Sequence, residues 1–226
     1  MAWWERQEPM QPPLWRDRRQ AGVALARHLQ PWQAHPDALV IGLPRGGVVV
    51  AAEVARALQL PLASWAVRKL AHPAAPELAV GAIAPGGVLL WDEPYLQQLH
   101  LDPALRRRLI AEQDAELRRR ERLYGDPQPG VLRNRPLLVV DDGVATGLTV
   151  RAALQSLRQA GPSALVLAVP VIDRQVLPRL QPAVDELVAL AVVDNLGAVG
   201  VWFERFEPVA DQEVLDLLMA GRSLQP

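Results

Sequence analysis

The sequence predicts an α/β protein in which a mostly parallel sheet is covered by helices on both faces. Short apolar runs of strand length alternate with segments of helical periodicity, which is typical of right-handed strand-helix-strand crossovers. The runs are continuously apolar, as in strands whose two faces are both buried. With 226 residues, 50% of them hydrophobic, the chain can bury a sizeable core and is expected to form one domain.

The first elements follow this order. Residues 1–36 contain many Pro and Trp residues around one short amphipathic helix, predicted at about residues 16–29, and we interpret them as an N-terminal appendage. The core is expected over residues 37–195. It begins with a strand at residues 38–43, which Pro and Gly end, and continues with a helix that starts at the GG pair. A second strand is predicted at residues 62–70.

A loop and a long helix come next. The segment AHPAAPELAVGAIAPGG, residues 71–87, is rich in Pro, Gly and Ala and has no sustained period, so it is predicted to be a long loop with at most a short strand. A helix is predicted from Pro103 to Tyr124. Asp102 is its expected N-cap, Pro103 occupies its first position, and Gly125 follows its end.

The alternation then resumes through the rest of the core. Its predicted elements are the strand PLLVVD, the helix GLTVRAALQSLRQAG, the strand SALVLAVPVI, the short helix DRQVLPRLQP and the strand DELVALAVV. After them, one extended segment and a terminal helix from about Asp211 are expected within residues 196–226. We interpret this last part as a C-terminal hood and helix.

Composition excludes several classes of function. The 24 basic residues nearly balance the 25 acidic ones, so no global field attracts nucleic acid or an anionic membrane. The chain has no cysteine, which excludes disulfides, a thiolate nucleophile and cysteine-ligated metal. No apolar run approaches membrane-spanning length, and the N-terminus lacks the basic and apolar regions of a signal peptide. A cytoplasmic location is therefore expected.

The segment LLVVDDGVATGLTV, residues 137–150, places two carboxylates at the end of a predicted strand. Ligands of open parallel sheets bind beyond the carboxyl ends of the strands, and the helix N-terminus that follows favours an anion such as phosphate. Carboxylates suit sugar hydroxyls or magnesium, so a sugar phosphate would use both halves of the segment. Asp141 and Asp142 could instead only cap the helix, but the apolar run, the acid pair and the ATGLT loop together favour a ligand site.

This segment resembles the binding motif for 5-phosphoribosyl 1-pyrophosphate (PRPP) of the type I phosphoribosyltransferases: four apolar residues, two acids, two mostly apolar residues and a small-Thr-Gly-x-Thr loop. The resemblance implies a Rossmann-like, mostly parallel sheet with a small hood. It implies transfer of ribosyl phosphate to a nitrogen acceptor, a nucleobase or an amine, with release of diphosphate. Asp141 and Asp142 would hold the ribose hydroxyls, partly around Mg²⁺. The residues implied to bind the 5′-phosphate are Ala145, Thr146, Gly147, Leu148 and Thr149.

Two positions depart from relatives of this kind. Gly143 stands where the family usually has a bulkier aliphatic residue. Ala145 stands where the members that act on 6-oxopurines carry an acid as a candidate general base, so the loop is more similar to that of the adenine and orotate members. Salvage of hypoxanthine or guanine is therefore the less favoured activity.

The segment GLPRGG, residues 42–47, follows the first strand and opens a helix, which is the place of the family's pyrophosphate loop. The resemblance implies that Arg45 and the backbone N–H groups of Gly46 and Gly47 contact the diphosphate. A plain strand-to-helix turn is the alternative. The glycine spacing also matches a Walker A loop, but Val48 and Val49 stand where Lys and Ser or Thr are required, and the chain has no GxGxxG.

Lys69 is the only lysine among 24 basic residues, although composition otherwise favours arginine throughout. A compact ammonium on a flexible stem binds phosphate differently from the planar guanidinium of arginine. In the family a basic residue at the end of this strand reaches the diphosphate, which makes Lys69, with Arg68 beside it, the candidate. A solvated strand end is the alternative.

Other segments correspond to the variable parts of the family. The predicted loop after residue 70 would be the mobile flap that excludes water, where His72 and Glu77 either contact substrate or are only solvated. Trp202 and Phe203 either stack on a flat acceptor in the hood or pack in the core. The long helix interleaves acids with arginines, which favours an ion-paired or oligomer surface over nucleic-acid binding.

The resemblance to the type I phosphoribosyltransferases thus implies two possible functions. The first is a phosphoribosyltransferase that binds PRPP with Mg²⁺ and a small nitrogen acceptor, without nucleic-acid or membrane partners, and as a homodimer like many members of the family. The alternative is a non-catalytic regulatory or accessory protein that senses PRPP or another sugar phosphate. Release of diphosphate with any acceptor would separate the two.

Overall fold

The computed structural model describes residues 11–72, 75–98 and 101–222, except for the side chains of 75–78, 97–98 and 222. Its strands are β1 (Leu39–Gly42), β2 (Leu62–Ser64), β3 (Arg68–His72), β4 (Ala75–Ala84), β5 (Val88–Trp91), β6 (Pro136–Val140), β7 (Ala164–Asp173) and β8 (Glu186–Val193). Its helices are α1 (Arg18–Ala26), α2 (Gly46–Leu58), α3 (Glu93–Gln98), α4 (Pro103–Tyr124), α5 (Pro129–Leu132), α6 (Leu148–Gln159), α7 (Leu177–Leu180) and α8 (Asp211–Arg222).

The predicted parallel sheet is confirmed. Five strands pair in the order β2-β1-β6-β7-β8, and every pair is parallel. Successive residues of a strand point to opposite faces, so Leu137 and Val139 join α6 in one core, while Leu138 and Val140 join α1, α2 and α8 in another. Burial on both faces explains why these strands are continuously apolar.

A second sheet corrects two predictions. The expected strand at residues 62–70 divides into β2, which belongs to the main sheet, and β3, which belongs to an antiparallel sheet ordered β3-β4-β5. The chain leaves the main sheet because the indole of Trp65 donates to Ser156 Oγ (3.1 Å) and the backbone N–H of Ala66 donates to the Asp126 carboxylate (2.6 Å). The expected loop after residue 70 is instead mostly strand β4.

Strand β4 is rich in alanine because it lies between two helices. Ala79 and Ala82 pack in the core that contains α6, whereas Val80 and Ile83 pack with residues of α4. Small side chains on the α6 side let that helix approach the sheet closely. The sequence pattern does not reveal β4, because alanine differs too little in hydrophobicity from its neighbours to mark which residues face the core.

Helix α4 forms as predicted. The Asp102 carboxylate accepts a hydrogen bond from the Ala104 backbone (3.0 Å), and Gly125 adopts the left-handed conformation at the C-cap with φ 67°. The expected ion pairs are present between Asp114 and Arg118 (2.9 Å) and between Glu116 and Arg120 (2.8 Å). These contacts confirm the ion-paired surface, while the oligomer role stays a prediction.

Asp126 lies just beyond α4 and connects this helix to the segment between β2 of the main sheet and β3 of the second sheet. Its carboxylate accepts hydrogen bonds from Ser64 Oγ (2.5 Å) and the Ala66 backbone (2.6 Å). Burial raises the pKa of Asp126 to about 6, because these two hydrogen bonds only partly offset the loss of water around the charge.

We expect Asp126 to make the protein less stable as the pH rises. An acid whose folded pKa exceeds its unfolded pKa stabilises the fold while it is protonated, and this stability is lost between about pH 4 and pH 6. The wild type should lose about 2–3 kcal/mol over that interval relative to Asp126→Asn, which does not titrate. Urea unfolding of both proteins from pH 4 to 7.5 measures the difference, and parallel pH profiles would contradict the assignment.

The two terminal segments of the chain meet beside the main sheet. Trp15 and Phe203 form a parallel bridge, and the Glu204 and Arg205 backbones donate to the carbonyls of Trp15 and Arg16 (both 2.9 Å). The expected extended segment near residue 200 is a 3-10 turn, Val199–Trp202, and the terminal helix α8 begins at Asp211 as predicted. The domain limits at residues 36/37 and 195/196 stay a prediction. Among the described helices, none combines the length and apolarity needed to cross a membrane.

Candidate active site

The acid pair and the glycine loop are in direct contact. Asp141 and Asp142 follow β6 at its carboxyl end, and β1, which leads into GLPRGG, is paired with β6 in the sheet. A Cβ atom added to Gly47 would lie 2.8 Å from Asp141 Oδ1, and one added to Gly46 would overlap Asp142 Oδ2. Only glycine leaves room for both carboxylates at this loop. The structure thus brings together two motifs that are about a hundred residues apart.

A third residue, Arg18, completes the electrostatics of the pair. Arg18 Nε donates to Asp142 Oδ2 at 2.7 Å, and the Asp142 backbone donates to Asp141 Oδ1 at 2.9 Å. Burial raises the pKa of Asp141, and the neighbouring charge of Asp142 raises it further. Burial also raises the pKa of Asp142, but the charge and hydrogen bond of Arg18 oppose that rise. The pair can accept sugar hydroxyls while carrying less than two uncompensated charges.

The loop after the acid pair is held at both ends. The Val144 backbone donates to the Val171 carbonyl and accepts from the Asp173 backbone, both at 2.9 Å. Gly147, with φ 72°, ends the loop as the N-cap of α6, while Thr146 is exposed and Thr149 half-buried. The first N–H groups of α6 therefore lie beside an exposed hydroxyl, which suits a phosphate.

The structure explains the glycine at position 143. A Cβ atom there would lie 2.6 Å from Val199 Cγ1 and 3.0 Å from Val171 Cγ1. The bulkier residue of similar loops is therefore excluded by the C-terminal segment that packs over this one. The loop after the acid pair also has an unusual composition that the sequence analysis did not use. Thr146 and Thr149 are the only threonines in the chain.

Arg45, the candidate diphosphate contact, is the N-cap residue of α2 and follows a cis Pro44–Arg45 peptide. Its Nη1 lies 3.6 Å from Asp211 Oδ1 at the start of α8. The Asp211 carboxylate also accepts from Tyr124 Oη (2.7 Å) and Arg119 Nη2 (2.9 Å). Two hydrogen-bond donors and the Arg45 guanidinium thus surround the Asp211 carboxylate beside the glycine loop.

Arg68 on β3 lies within electrostatic range of the same loop. Its Nε and Nη2 donate to Gln113 Oε1 of α4 (3.0 and 2.7 Å). Burial lowers the pKa of Arg68, and the charges of Arg120 and Arg45 lower it further. Positive charge therefore gathers where the diphosphate is expected. Lys69 lies next to it on β3, half-buried and opposite Ala82, and its substrate contact stays a prediction.

The structure does not place the remaining candidate residues in contact with the acid pair or the glycine loop among the contacts of the described residues. Trp202 and Phe203 are each 5% exposed and pack in a core with Trp15, and Trp202 Nε1 donates to the Leu196 carbonyl (3.1 Å), so core packing accounts for both. His72 ends β3, and the Glu77 side chain lies outside the described residues. Sequence reasoning missed Arg18 and Asp211 because no local pattern distinguishes them from other charged residues at helix starts.

Comparison with known proteins finds one family model and several similar proteins. A family model described as a phosphoribosyl transferase domain matches residues 20–185. Proteins from two strains of Mycobacterium tuberculosis, both provisionally named phosphoribosyl transferases, are 40% identical over 206 residues, which is 91% of this chain and 46% of theirs. The chain thus spans about half the length of these curated relatives. The crystal structure of TT1426 from Thermus thermophilus is 39% identical, with a TM-score of 0.70 over 91% of this chain and 98% of that one.

Proposed function

Because this chain belongs to the phosphoribosyl transferase domain family, we propose that it binds PRPP with Mg²⁺ and transfers the ribosyl phosphate to a nitrogen acceptor, releasing diphosphate. The observation that carries the proposal is the contact of Asp141 and Asp142 with Gly46 and Gly47. This contact sets groups suited to ribose hydroxyls against a loop suited to diphosphate. The bond that breaks in PRPP joins those two parts of the substrate.

Each part of the site then has a role. Asp141 and Asp142 accept hydrogen bonds from the ribose hydroxyls, and the loop 145–149 at the start of α6 holds the 5′-phosphate. Arg45 and the N–H groups of Gly46 and Gly47 hold the diphosphate, with Arg68 and Lys69 supplying further positive charge. Fixing the sugar at both ends orients its C1 atom toward the acceptor.

Magnesium fits this donor set only together with the substrate. No cluster of three or more acidic, histidine or cysteine side chains occurs among the described residues, so Asp141 and Asp142 are the protein groups available to it. Mg²⁺ is commonly held by one or two carboxylates and by substrate phosphates. When bound, the ion neutralises charge on the diphosphate leaving group.

The reaction needs no nucleophilic side chain. The C1–O bond breaks with both electrons leaving on the diphosphate, the acceptor nitrogen forms the C1–N bond with its lone pair, and its proton passes to solvent. Positive charge develops on the ribose in between, so the site acts by positioning and electrostatic stabilisation. Ala145 offers no base in the loop, which is why the proton is assigned to solvent.

Thr146→Val tests the site without disturbing the fold. Thr146 is exposed, so the substitution should change the free energy of unfolding by about 0.5 kcal/mol or less. Loss of a hydroxyl that donates to a charged phosphate should weaken PRPP binding about tenfold to a hundredfold. Thr146→Ser, which keeps the hydroxyl, is the matched control.

Calorimetry of PRPP binding with and without Mg²⁺ measures the effect. We expect Mg²⁺-dependent binding in the wild type and Thr146→Ser, and weak binding in Thr146→Val. A wild type that binds no PRPP would overturn the assignment. Equal affinity of all three proteins would remove the loop from the 5′-phosphate site.

One observation favours a second candidate function, a non-catalytic PRPP sensor. Among the described residues, Phe203 stacks on Phe206 and packs at a tilt against Trp15, Arg18 lies over the Phe206 ring, and Trp202 is buried. These rings therefore present no open face to a nucleobase. An assay of diphosphate release with nucleobases and amines separates the functions, because a sensor binds PRPP but releases no diphosphate with any acceptor.

A further inference from the structure

Arg18 is held in place by three different parts of the chain. It is the first residue of α1, whose N-cap Asp17 accepts from the Gln20 backbone (2.9 Å). Its Nε donates to Asp142 at 2.7 Å, and its Nη1 donates to the Glu207 carbonyl at 3.0 Å. The side chain is only 11% exposed, although it belongs to the first turn of the described N-terminal helix.

An aromatic stack fixes the plane of this guanidinium. Its central carbon lies 3.6 Å from the centroid of the Phe206 ring, which gives a cation–π contact. Phe206 in turn stacks on Phe203 with centroids 5.0 Å apart, and Phe203 packs on Trp15 at 5.6 Å. Arg18 therefore cannot follow Asp142 if that carboxylate moves, since its own position is set by the terminal segments.

The contact with Arg18 uses only one oxygen of the Asp142 carboxylate. Arg18 Nε donates to Oδ2 and not to Oδ1. The Asp142 side chain is 16% exposed, so a ligand can reach it. A carboxylate beside Asp141 would otherwise turn away from the like charge, and the short ion pair with the Arg18 guanidinium opposes that movement.

We propose that Arg18 is a positioning residue, which holds the Asp142 carboxylate ready for the ribose hydroxyls, and that the packed N- and C-terminal segments exist in part to hold Arg18. The inference rests on the proposed function, because that function assigns Asp142 to the ribose. Arg18, Phe206 and Glu207 all lie outside residues 20–185, which the family model matches. The terminal segments of this chain thus act on the site through Asp142.

The test is Arg18→Gln, with Arg19→Gln as the matched control. Arg19 is the next residue of α1, and its pairs with Glu53 (3.3 Å) and Glu213 (3.6 Å) lie away from the acid pair. Binding of PRPP with Mg²⁺, and of inorganic diphosphate without Mg²⁺, is measured by calorimetry, because the Asp142 carboxylate is also a proposed Mg²⁺ ligand. Diphosphate is the informative probe because it occupies the glycine loop and has no ribose.

We expect Arg18→Gln to weaken PRPP binding about tenfold to a hundredfold, the factor that corresponds to a hydrogen bond to a charged group. Diphosphate affinity should fall much less, because Arg18 borders the glycine loop only with its Nε, and Arg19→Gln should match the wild type for both ligands. Arg18→Lys should recover part of the loss, because an ammonium restores the charge without the planar contact to Phe206.

Several results would overturn the inference. PRPP binding by Arg18→Gln that equals or exceeds the wild type would mean that Arg18 is irrelevant or blocks the site. Equal losses for PRPP and diphosphate would mean general damage to the site. If Arg18→Gln does not fold, Phe206→Leu decides by the same comparison, since it removes the stacked ring but keeps both charges. A folded wild type that binds no PRPP overturns the proposed function, and this inference with it.

Discussion

Replacing Asp141 by asparagine is expected to abolish Mg²⁺-dependent PRPP binding and yet leave the protein at least as stable as the wild type at pH 7. Burial and the charge of Asp142 raise the pKa of Asp141, so the folded state binds its proton more tightly than the unfolded state does. The stability that this proton contributes is present at low pH and is lost as the pH rises through the folded pKa. Asparagine keeps the shape and the acceptor for the Asp142 backbone but carries no charge.

Urea unfolding and calorimetry on the same samples check this prediction. Asp37→Asn is the control, because Asp37 is exposed and lies outside the site, so neither its stability nor its PRPP affinity should change. Binding by Asp141→Asn at the wild-type affinity would exclude Asp141 from the ribose site. A clear loss of stability at pH 7 would show that the Asp141 charge is compensated in the folded protein.

The sequence predicts the main sheet well because its strands are buried on both faces. Leu137 to Val140 are continuously apolar for that reason, and the helices between the strands keep their own period. The second sheet was not predicted, because its strands are not separated by helices of clear periodicity, and β3 and β4 are not continuously apolar. Trp65 and Ala66 break one apolar run by hydrogen bonds to Ser156 and Asp126, partners that are 60 or more residues distant and therefore invisible to any local window.

The candidate site likewise contains some residues that the sequence identifies and others that only the structure reveals. Asp141, Asp142 and Thr146 belong to one contiguous motif, so their types and spacing alone indicate a sugar phosphate site. Arg18 is 124 residues away from Asp142 in sequence, and its neighbours in α1 are also charged. Nothing local separates it from Arg19, which pairs with glutamates on other helices. Only the folded chain distinguishes the two arginines.

The two internal ion pairs at the site differ in strength, and this difference suits their roles. Arg45 and Asp211 are 3.6 Å apart and partly solvated, a kind of pair that contributes about 0–1 kcal/mol. If Arg45 binds diphosphate as proposed, displacing Asp211 from it should cost little free energy. The pair between Arg18 and Asp142 is short and mostly buried, and separating it would leave an unpaired buried charge, so we expect it to stay intact when a ligand binds. We therefore expect the proposed diphosphate side of the site to exchange its internal partner for the ligand, and the proposed ribose side to be formed before the ligand binds.

Gly46→Ala is expected to remove PRPP binding through the contact that defines the site. The added methyl group would overlap Asp142 Oδ2 and lie 2.8 Å from Arg18 Nε, so the carboxylate must turn away and the ion pair must break. Removing one partner of a buried pair costs about 3–5 kcal/mol, and a gain of up to about 1 kcal/mol from alanine in a helix offsets part of it. The free energy of unfolding should therefore fall by about 2–4 kcal/mol.

Gly130→Ala is the matched control for this change, because Gly130 also lies in a helix, α5, and no atom lies within 4 Å of its added Cβ. Its free energy of unfolding should stay the same or rise by up to about 1 kcal/mol, with PRPP binding unchanged. Urea unfolding and PRPP calorimetry compare the two variants. If Gly46→Ala binds PRPP like the wild type, the Asp142 carboxylate does not need to lie against the glycine loop, and the contact that carries the proposed function would lose its meaning. If Gly46→Ala loses binding while Gly130→Ala keeps it, the close approach of the two motifs is itself required, since both substitutions add the same methyl group to the chain.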